Sequence, residues 1–228
     1  MKIVLVLMCA LLSACAPKVR LFNGRNLDGF YTYLQTKGKN QDPDHVFRVE
    51  RGAVHVSGAE FGYFITEKEY GDYHLSLEFR WGDQTHPPRR DKARDSGVLF
   101  HVNGPDKIWP QSIEFQMIEG GTGDIILVGS ASLTVKSETK DRGRFDRFGK
   151  GAWKDVAGYR DPARELERPR GQWNRLDLWA EGDRVRYYVN GALANEGRNA
   201  SLTKGKILFQ SEGAEVYFRK IVLRPLRK

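Results

Sequence analysis

Glu114 and Gln116 stand two residues apart in Ser112–Glu119, where polar Ser112, Glu114 and Gln116 alternate with apolar Ile113, Phe115 and Met117. That period is the mark of a half-buried strand, so the carboxyl and the amide project from one face. The stretch Asp95–His101 sets Gly97 and His101 on a common face in the same way, and His74–Trp81 projects Glu78 and Arg80 together. If these strands are neighbours, Glu78, Arg80, His101, Glu114 and Gln116 share a concave polar surface. Carboxylates and amides bind hydroxyls in pairs, and a flat ring such as Trp109 or Trp179 stacks on a sugar. A carboxylate beside a histidine also forms an acid/base pair. Any sheet with one wet face shows alternating polar residues, so the weight rests on Glu114 with Gln116. The sequence that follows them, Glu119-Gly120-Gly121-Thr122-Gly123-Asp124, lacks the lysine and helix of a phosphate loop and reads as a sharp turn.

Other chemistries find little support. The five histidines (His45, His55, His74, His86, His101) show no metal-ligand spacing. No resident cofactor is expected. Calcium is the one candidate, through Asp42 and Asp44 or Glu119 and Asp124. No GxSxG occurs, and the two cysteines, Cys9 and Cys15, both lie at the N-terminus.

The elements around these residues read as strands. Asn174–Trp179, Arg184–Asn190 and Val216–Leu223 repeat the alternation. Gly71-Asp72, Glu181-Gly182-Asp183 and Asn190-Gly191 punctuate them, so Trp173–Asn195 reads as two consecutive hairpins. No long stretch has helical periodicity. About a dozen strands imply an all-β, antiparallel two-sheet sandwich. Two segments interrupt it. Gln84–Asp95 is rich in proline and arginine, and Lys136–Gly171 is long, polar and studded with Phe145, Phe148, Trp153 and Tyr159. The second is expected to pack over one end of the sandwich.

The N-terminus carries an address. Lys2 precedes an apolar run, Ile3–Leu12, too short to span a bilayer. It ends in Leu12-Ser13-Ala14-Cys15, which resembles the lipobox of bacterial lipoproteins. The expected organisation is a signal peptide over 1–14, a tether over 15–20 lipidated at Cys15, and one domain over 21–228. The protein would then sit in the cell envelope, held to the membrane by that lipid. The net charge of +8 is spread over loops that also hold acids, which suits a cationic rim rather than nucleic-acid binding.

Seven segments, in order, resemble the 3-keto-disaccharide hydrolase domain family. They are Leu21–Phe30 (LFNGRNLDGF), Thr66–Leu75, Asp95–Phe100 (DSGVLF), Ile113–Gln116 (IEFQ), Gly171–Asn174 (GQWN), Tyr188–Gly191 (YVNG) and, at the end, Ile207–Ser211 with Val216–Ile221. The resemblance covers about residues 21 to 226. It implies a concanavalin A-like jelly roll acting on glycosides oxidised at C3. A 3-keto group acidifies the C2 proton, so a base removes it and the glycosidic oxygen leaves by β-elimination. On this chain Glu114 would be the base or acid and His101 its proton-transfer partner. Arg80 or Lys136 would face the enolate, while Gln116, Gln210, Glu78 and Trp109 bind substrate. The chain departs from the family at His101, where many members have a residue such as arginine, and at Ser211-Glu212, where a histidine is common. Two rival functions follow from the same fold: a glycan-binding module without catalysis, and an envelope adhesion protein using the basic rim.

Overall fold

The computed structural model describes residues 17–226. Cys15 and the expected signal peptide lie outside them. In chain order the strands are β1 (Val19–Arg20), β2 (Phe30–Leu34), β3 (Gly38–Lys39), β4 (Phe47–Glu50), β5 (Ala53–Val56) and β6 (Gly62–Thr66). Next come β7 (Tyr73–Thr85), β8 (Asp95–Asn103), β9 (Gln111–Ile118), β10 (Ile125–Val128), β11 (Leu133–Val135) and β12 (Glu138–Lys140). The last six are β13 (Gly143–Phe145), β14 (Asn174–Glu181), β15 (Arg184–Val189), β16 (Ala192–Gly197), β17 (Lys206–Ser211) and β18 (Ala214–Pro225).

Two eight-stranded antiparallel sheets hold most of them. The first runs β16-β15-β14-β7-β18-β5-β4, with β1 on β18, and the second β13-β10-β9-β8-β17-β6-β2-β3. The two hairpins expected over 173–195 are β14–β15 and β15–β16. Asn190 and Gly191 join the second with φ of 51° and 86°, the left-handed pair that a tight hairpin turn requires. The folded domain begins earlier than residue 21, because Val19 and Arg20 pair with Leu223 and Val222 and so belong to a sheet rather than a tether.

The alternation read from sequence is the partition between core and surface. Ile113, Phe115 and Met117 point inward and are at most 1% exposed. Phe115 stacks on Tyr187 of the opposite sheet, with centroids 4.1 Å apart and planes 7° from parallel. The Tyr187 hydroxyl donates to the Glu114 carbonyl oxygen at 3.0 Å. A second inter-sheet cluster joins Phe64 and Phe209, stacked at 4.6 Å, to Phe218 of the other sheet, 5.3 Å from Phe209. These aromatic pairs add ~0.5–1.5 kcal/mol each to the burial itself.

The 136–171 segment packs on the sandwich, and part of it is strand rather than loop: β12 pairs with β11, and β13 joins the second sheet beside β10. Phe145 is buried, and Phe148 and Leu166 pack against the core. Glu167 accepts from the Thr122 hydroxyl, and Asp124 accepts from the Arg147 backbone N–H at 2.8 Å. The segment is thereby tied to the turn that follows β9.

The Phe115–Tyr187 stack makes a stability prediction. Tyr187→Ala should cost ~3–5 kcal/mol in denaturant unfolding, and Tyr187→Phe ~1 kcal/mol for the lost hydrogen bond. An alanine variant as stable as the wild type would show that this contact does not hold the sheets together.

Candidate functional site

Register builds a polar row across the outer face of the second sheet. Tyr33 pairs with Tyr63, Tyr63 with Gln210, and Gly97 with Gln116. Phe209 pairs with Val98, which sets Gln210 beside Gly97. One step along the strands, Leu99 pairs with Glu114 and Glu114 with Ile126. Gly97 is the low point of this surface. A Cβ there would lie 2.3 Å from Glu114 Oε1 and 2.4 Å from Gln210 Oε1, so the two side chains reach over a floor only glycine provides.

Two loops close the surface from either side. On one flank Asp106 accepts hydrogen bonds from the hydroxyls of Tyr31 and Tyr63, each at 2.8 Å. This holds the 104–110 loop down over Ile65, Leu99 and Leu208 and brings Trp109 to within 6.1 Å of the Phe61 ring. On the other flank the His86 N–H donates to the Gly213 carbonyl at 2.7 Å. Gly213 has φ of 76°, and a Cβ there would meet the Arg89 side chain at 2.9 Å, so glycine lets the turn and the loop close together. From this loop Arg89 reaches Asp95, and Gln116 Nε2 donates to Asp95 Oδ1 at 2.8 Å.

The result is a cluster of three carboxyl groups. Glu114 and Asp95 are 5% and 3% exposed, and Glu212 is half-buried. Burial pushes the Glu114 carboxyl well above the usual range, and the charges of Glu212 and Asp95 add to the effect. Burial raises Glu212 too, reinforced by Asp95. Burial likewise raises Asp95, with Arg89 and Gln116 opposing it. Like charges this close in a poorly solvated site cannot all ionise, so the cluster keeps protons at neutral pH. Gln210 Oε1 is buried with no partner among the described residues, an acceptor left open over Gly97. Carboxyl groups poised near neutrality beside the open Gln210 amide oxygen can move protons on a hydroxylated ligand.

The structure brings together only part of the expected set. Glu114, Gln116 and Gln210 share the row, and Trp109 stands on its flank. Glu78 and Arg80 do not join them. Their strand, β7, lies between β14 and β18 in the other sheet. There Glu78 accepts from Arg219 at 2.7 Å and Lys220 at 2.9 Å, and Arg80 lies over the rings of Tyr217 and Trp173. Trp179 is on that sheet as well, stacked on His74 at 4.2 Å. His101 is also removed. A register shift after Phe100 and a φ of 51° turn its ring inward, edge-on to Tyr73 of the opposite sheet at 5.7 Å. Its Nδ1 meets the Leu202 carbonyl at 2.9 Å, and burial lowers its pKa, so it is a neutral core residue. Lys136 sits with its ammonium over Phe148, beside Arg184 and Arg198 rather than Glu114.

Three of the four calcium candidates, Asp42, Glu119 and Asp124, hold other partners. Arg94 donates to Glu119 at 2.9 Å, and Asp42 caps the backbone N–H groups of Val46 and Phe47 at 2.7 and 2.8 Å. Asp124 is held by Arg147. Among the described residues no group of three or more His, Cys, Asp or Glu side chains could hold a metal ion.

Three members of the site were not singled out from sequence. Asp95 shares the phase of Gly97, which was a signal. Arg89 lies in the proline- and arginine-rich loop, and Glu212 at a departure from the family pattern; neither position announces where its side chain ends.

Two layered antiparallel sheets with a polar row on one outer face define a jelly-roll sandwich. The model of the 3-keto-alpha-glucoside-1,2-lyase-like domain matches residues 17–224, so the chain belongs to that family. No curated protein matches it. Among solved structures it is similar to a candidate glycosyl hydrolase from Parabacteroides distasonis, at 20% identity and a TM-score of 0.60, over 92% of this chain and 94% of that one. It is similar to a Bacillus licheniformis β-glucanase at 12% identity and a TM-score of 0.53, over 94% and 100% of the chains. A Bacillus subtilis carbohydrate-binding module, CBM66, shares the fold at 12% identity and a TM-score of 0.51, over 86% and 95%.

The raised Glu114 pKa has a sign. Its ordinary value is 4.5, so above pH 4.5 the unfolded chain gives up a proton that the folded one keeps. Wild-type stability therefore falls with rising pH relative to Glu114→Gln. The difference between the two should be flat below pH 4.5 and grow above it, by up to ~1.4 kcal/mol per pH unit. Parallel stability curves up to pH 8 would mean that Glu114 ionises freely in the fold.

Proposed function

We propose that this protein cleaves 3-keto-glycosides by β-elimination, with Glu114 as the general acid/base. The observation that carries this reading is the cluster of Glu114, Asp95 and Glu212, held over Gly97 beside Gln116, Gln210 and Arg89. An ionised carboxylate of the cluster takes the C2 proton. The C2–H electron pair becomes the C1=C2 bond as the C1–O bond breaks. The Glu114 carboxylic acid gives its proton to the departing glycosidic oxygen, so the cluster's proton count is unchanged. Addition of water across the double bond, OH to C1 and H to C2, turns elimination into net hydrolysis. Arg89 takes the role that sequence gave to Arg80 or Lys136, a cation near the developing enolate. Gln116 and Gln210 hold sugar hydroxyls, and Trp109 with Phe61 offers a ring surface to the second unit. This scheme needs neither a nucleophile nor the spaced carboxylate pair of an ordinary glycosidase.

The envelope location belongs to the same proposal. Lipid on Cys15 would leave the domain only a few residues from the membrane, facing saccharides outside the cytoplasm. In the producing cell, Cys15→Ser should abolish labelling by radioactive palmitate and release the protein from the membrane fraction. Unchanged labelling would remove the lipoprotein assignment.

The catalytic test is incubation with 3-keto-trehalose or aryl 3-keto-glucosides. The wild type should release free sugar or aglycone, and Glu114→Gln should lower kcat by ~10²–10⁴. Equal turnover by both proteins takes Glu114 out of the chemistry. Binding of intact glycans by calorimetry, with no turnover of any keto-sugar, would make the domain a binding module instead.

A further inference from the structure

A groove of about 680 Å³ lies at the β15–β16 edge of the first sheet, away from Glu114 and lined by Lys136, Arg184, Arg186, Arg198, Glu181 and Glu196, among others. Its volume is in the range of small-molecule sites. The local fold gathers these charges. Arg184 and Arg186 are two apart on β15, on the opposite face from buried Val185. Arg186 pairs across the hairpin with Glu196, and Val185 with Gly197. Arg198 follows and is clamped by reciprocal backbone hydrogen bonds with Thr134, both 2.8 Å. That bridge brings β11 alongside and carries Lys136, at the end of the strand, to the groove wall. Thr134 lines the groove too, with its own hydroxyl buried and shared with Thr139 and Asn199.

The charges in the groove are not matched. Arg186 pairs loosely with Glu181 at 3.6 Å, between partly exposed side chains. Among the described residues, Arg184, Arg198 and Lys136 have no carboxylate partner within 4.0 Å, and all three are exposed. Three unpaired cations around one concavity, two of them guanidinium forks, form a receptor for carboxylate or another oxyanion. Two carboxylates, Glu181 and Glu196, stand among them. These would repel a polyphosphate, but they accept hydrogen bonds from hydroxyls. The groove also lacks a free aromatic face for a nucleobase. No aromatic side chain is among its lining residues, and Trp179 of the same sheet has His74 on it at 4.2 Å and the Arg186 guanidinium 5.5 Å from its centroid.

From this geometry we infer that the groove is a second saccharide site, separate from the Glu114 cluster, which binds carboxylated sugars such as uronic-acid units. The cations take the carboxylate, and Glu181 and Glu196 take neighbouring hydroxyls. The site would hold the domain on acidic polysaccharide while the other sheet's outer face remains open. The inference is independent of the catalytic reading, because no residue of the carboxyl cluster takes part.

The test is calorimetric titration of the folded domain with trigalacturonate, with maltotriose as the neutral control and a short single-stranded DNA as the phosphate control. Trigalacturonate should bind and maltotriose should not. Arg184→Ala with Arg198→Ala should weaken trigalacturonate at least about tenfold, while thermal unfolding stays at the wild-type temperature because both side chains are exposed. Raising salt from about 0.05 to about 0.5 M should also weaken it. Glu114→Gln should bind as the wild type does. No binding by the wild type, equal binding by the folded double variant, or tighter binding of the DNA would each overturn the proposal.

Discussion

The β8–β9 strand pair is the constraint on which both the core and the candidate site depend. Side chains on a strand alternate between faces, so fixing one residue fixes all the others. Phe115 and Met117 are held inward by the packed aromatic interior, and Phe115 is locked against Tyr187. Glu114 and Gln116 are therefore forced outward, over Gly97 of the neighbouring strand. A slip of one residue would exchange the two sets and bury a carboxylate in hydrocarbon. The core thus acts as the jig that aims the polar row, and the stability of one is the precision of the other.

The outward face is not simply wet. Glu114 and Asp95 are almost fully buried, and the loop bearing Arg89 is seated directly on Asp95. Water is what normally stabilises a carboxylate, and its exclusion leaves the three acids short of solvation. Arg89 and the Gln116 amide favour the ionised form of Asp95. Glu114 has no comparable cation among the described residues, so burial and the neighbouring acids raise its pKa unopposed. The fold accordingly spends stability to hold a protonated carboxyl group beside the open Gln210 amide oxygen. Such an arrangement is poor for packing and suited to proton transfer.

Much of this was legible in the sequence. The alternations at 74–81, 112–119, 174–179, 184–190 and 216–223 all correspond to strands, and the Asn190-Gly191 turn closes its hairpin. The facing of Glu114 and Gln116 followed directly. Strand order did not, because periodicity says which face a residue takes but not which strand lies alongside. Glu78 and Arg80 were grouped with Glu114 for that reason, whereas β7 pairs with β14 and β18 in the other sheet. His101 shows a second limit. An irregular register and a positive φ reverse its facing, and nothing in the pattern of polar and apolar residues marks such a bulge. Arg89 and Glu212 come from loops, where side-chain direction is set by tertiary contacts and no period exists to read.

The central claim is that Glu114 stays protonated at neutral pH within the folded protein. Carbon-13 NMR of side-chain carboxyl groups in glutamate-labelled protein measures this directly. The account predicts one resonance, missing from Glu114→Gln, that keeps the chemical shift of a neutral acid at pH 7 while the exposed glutamates have ionised. A Glu114 signal that titrates with the exposed glutamates near pH 4.5 would contradict it.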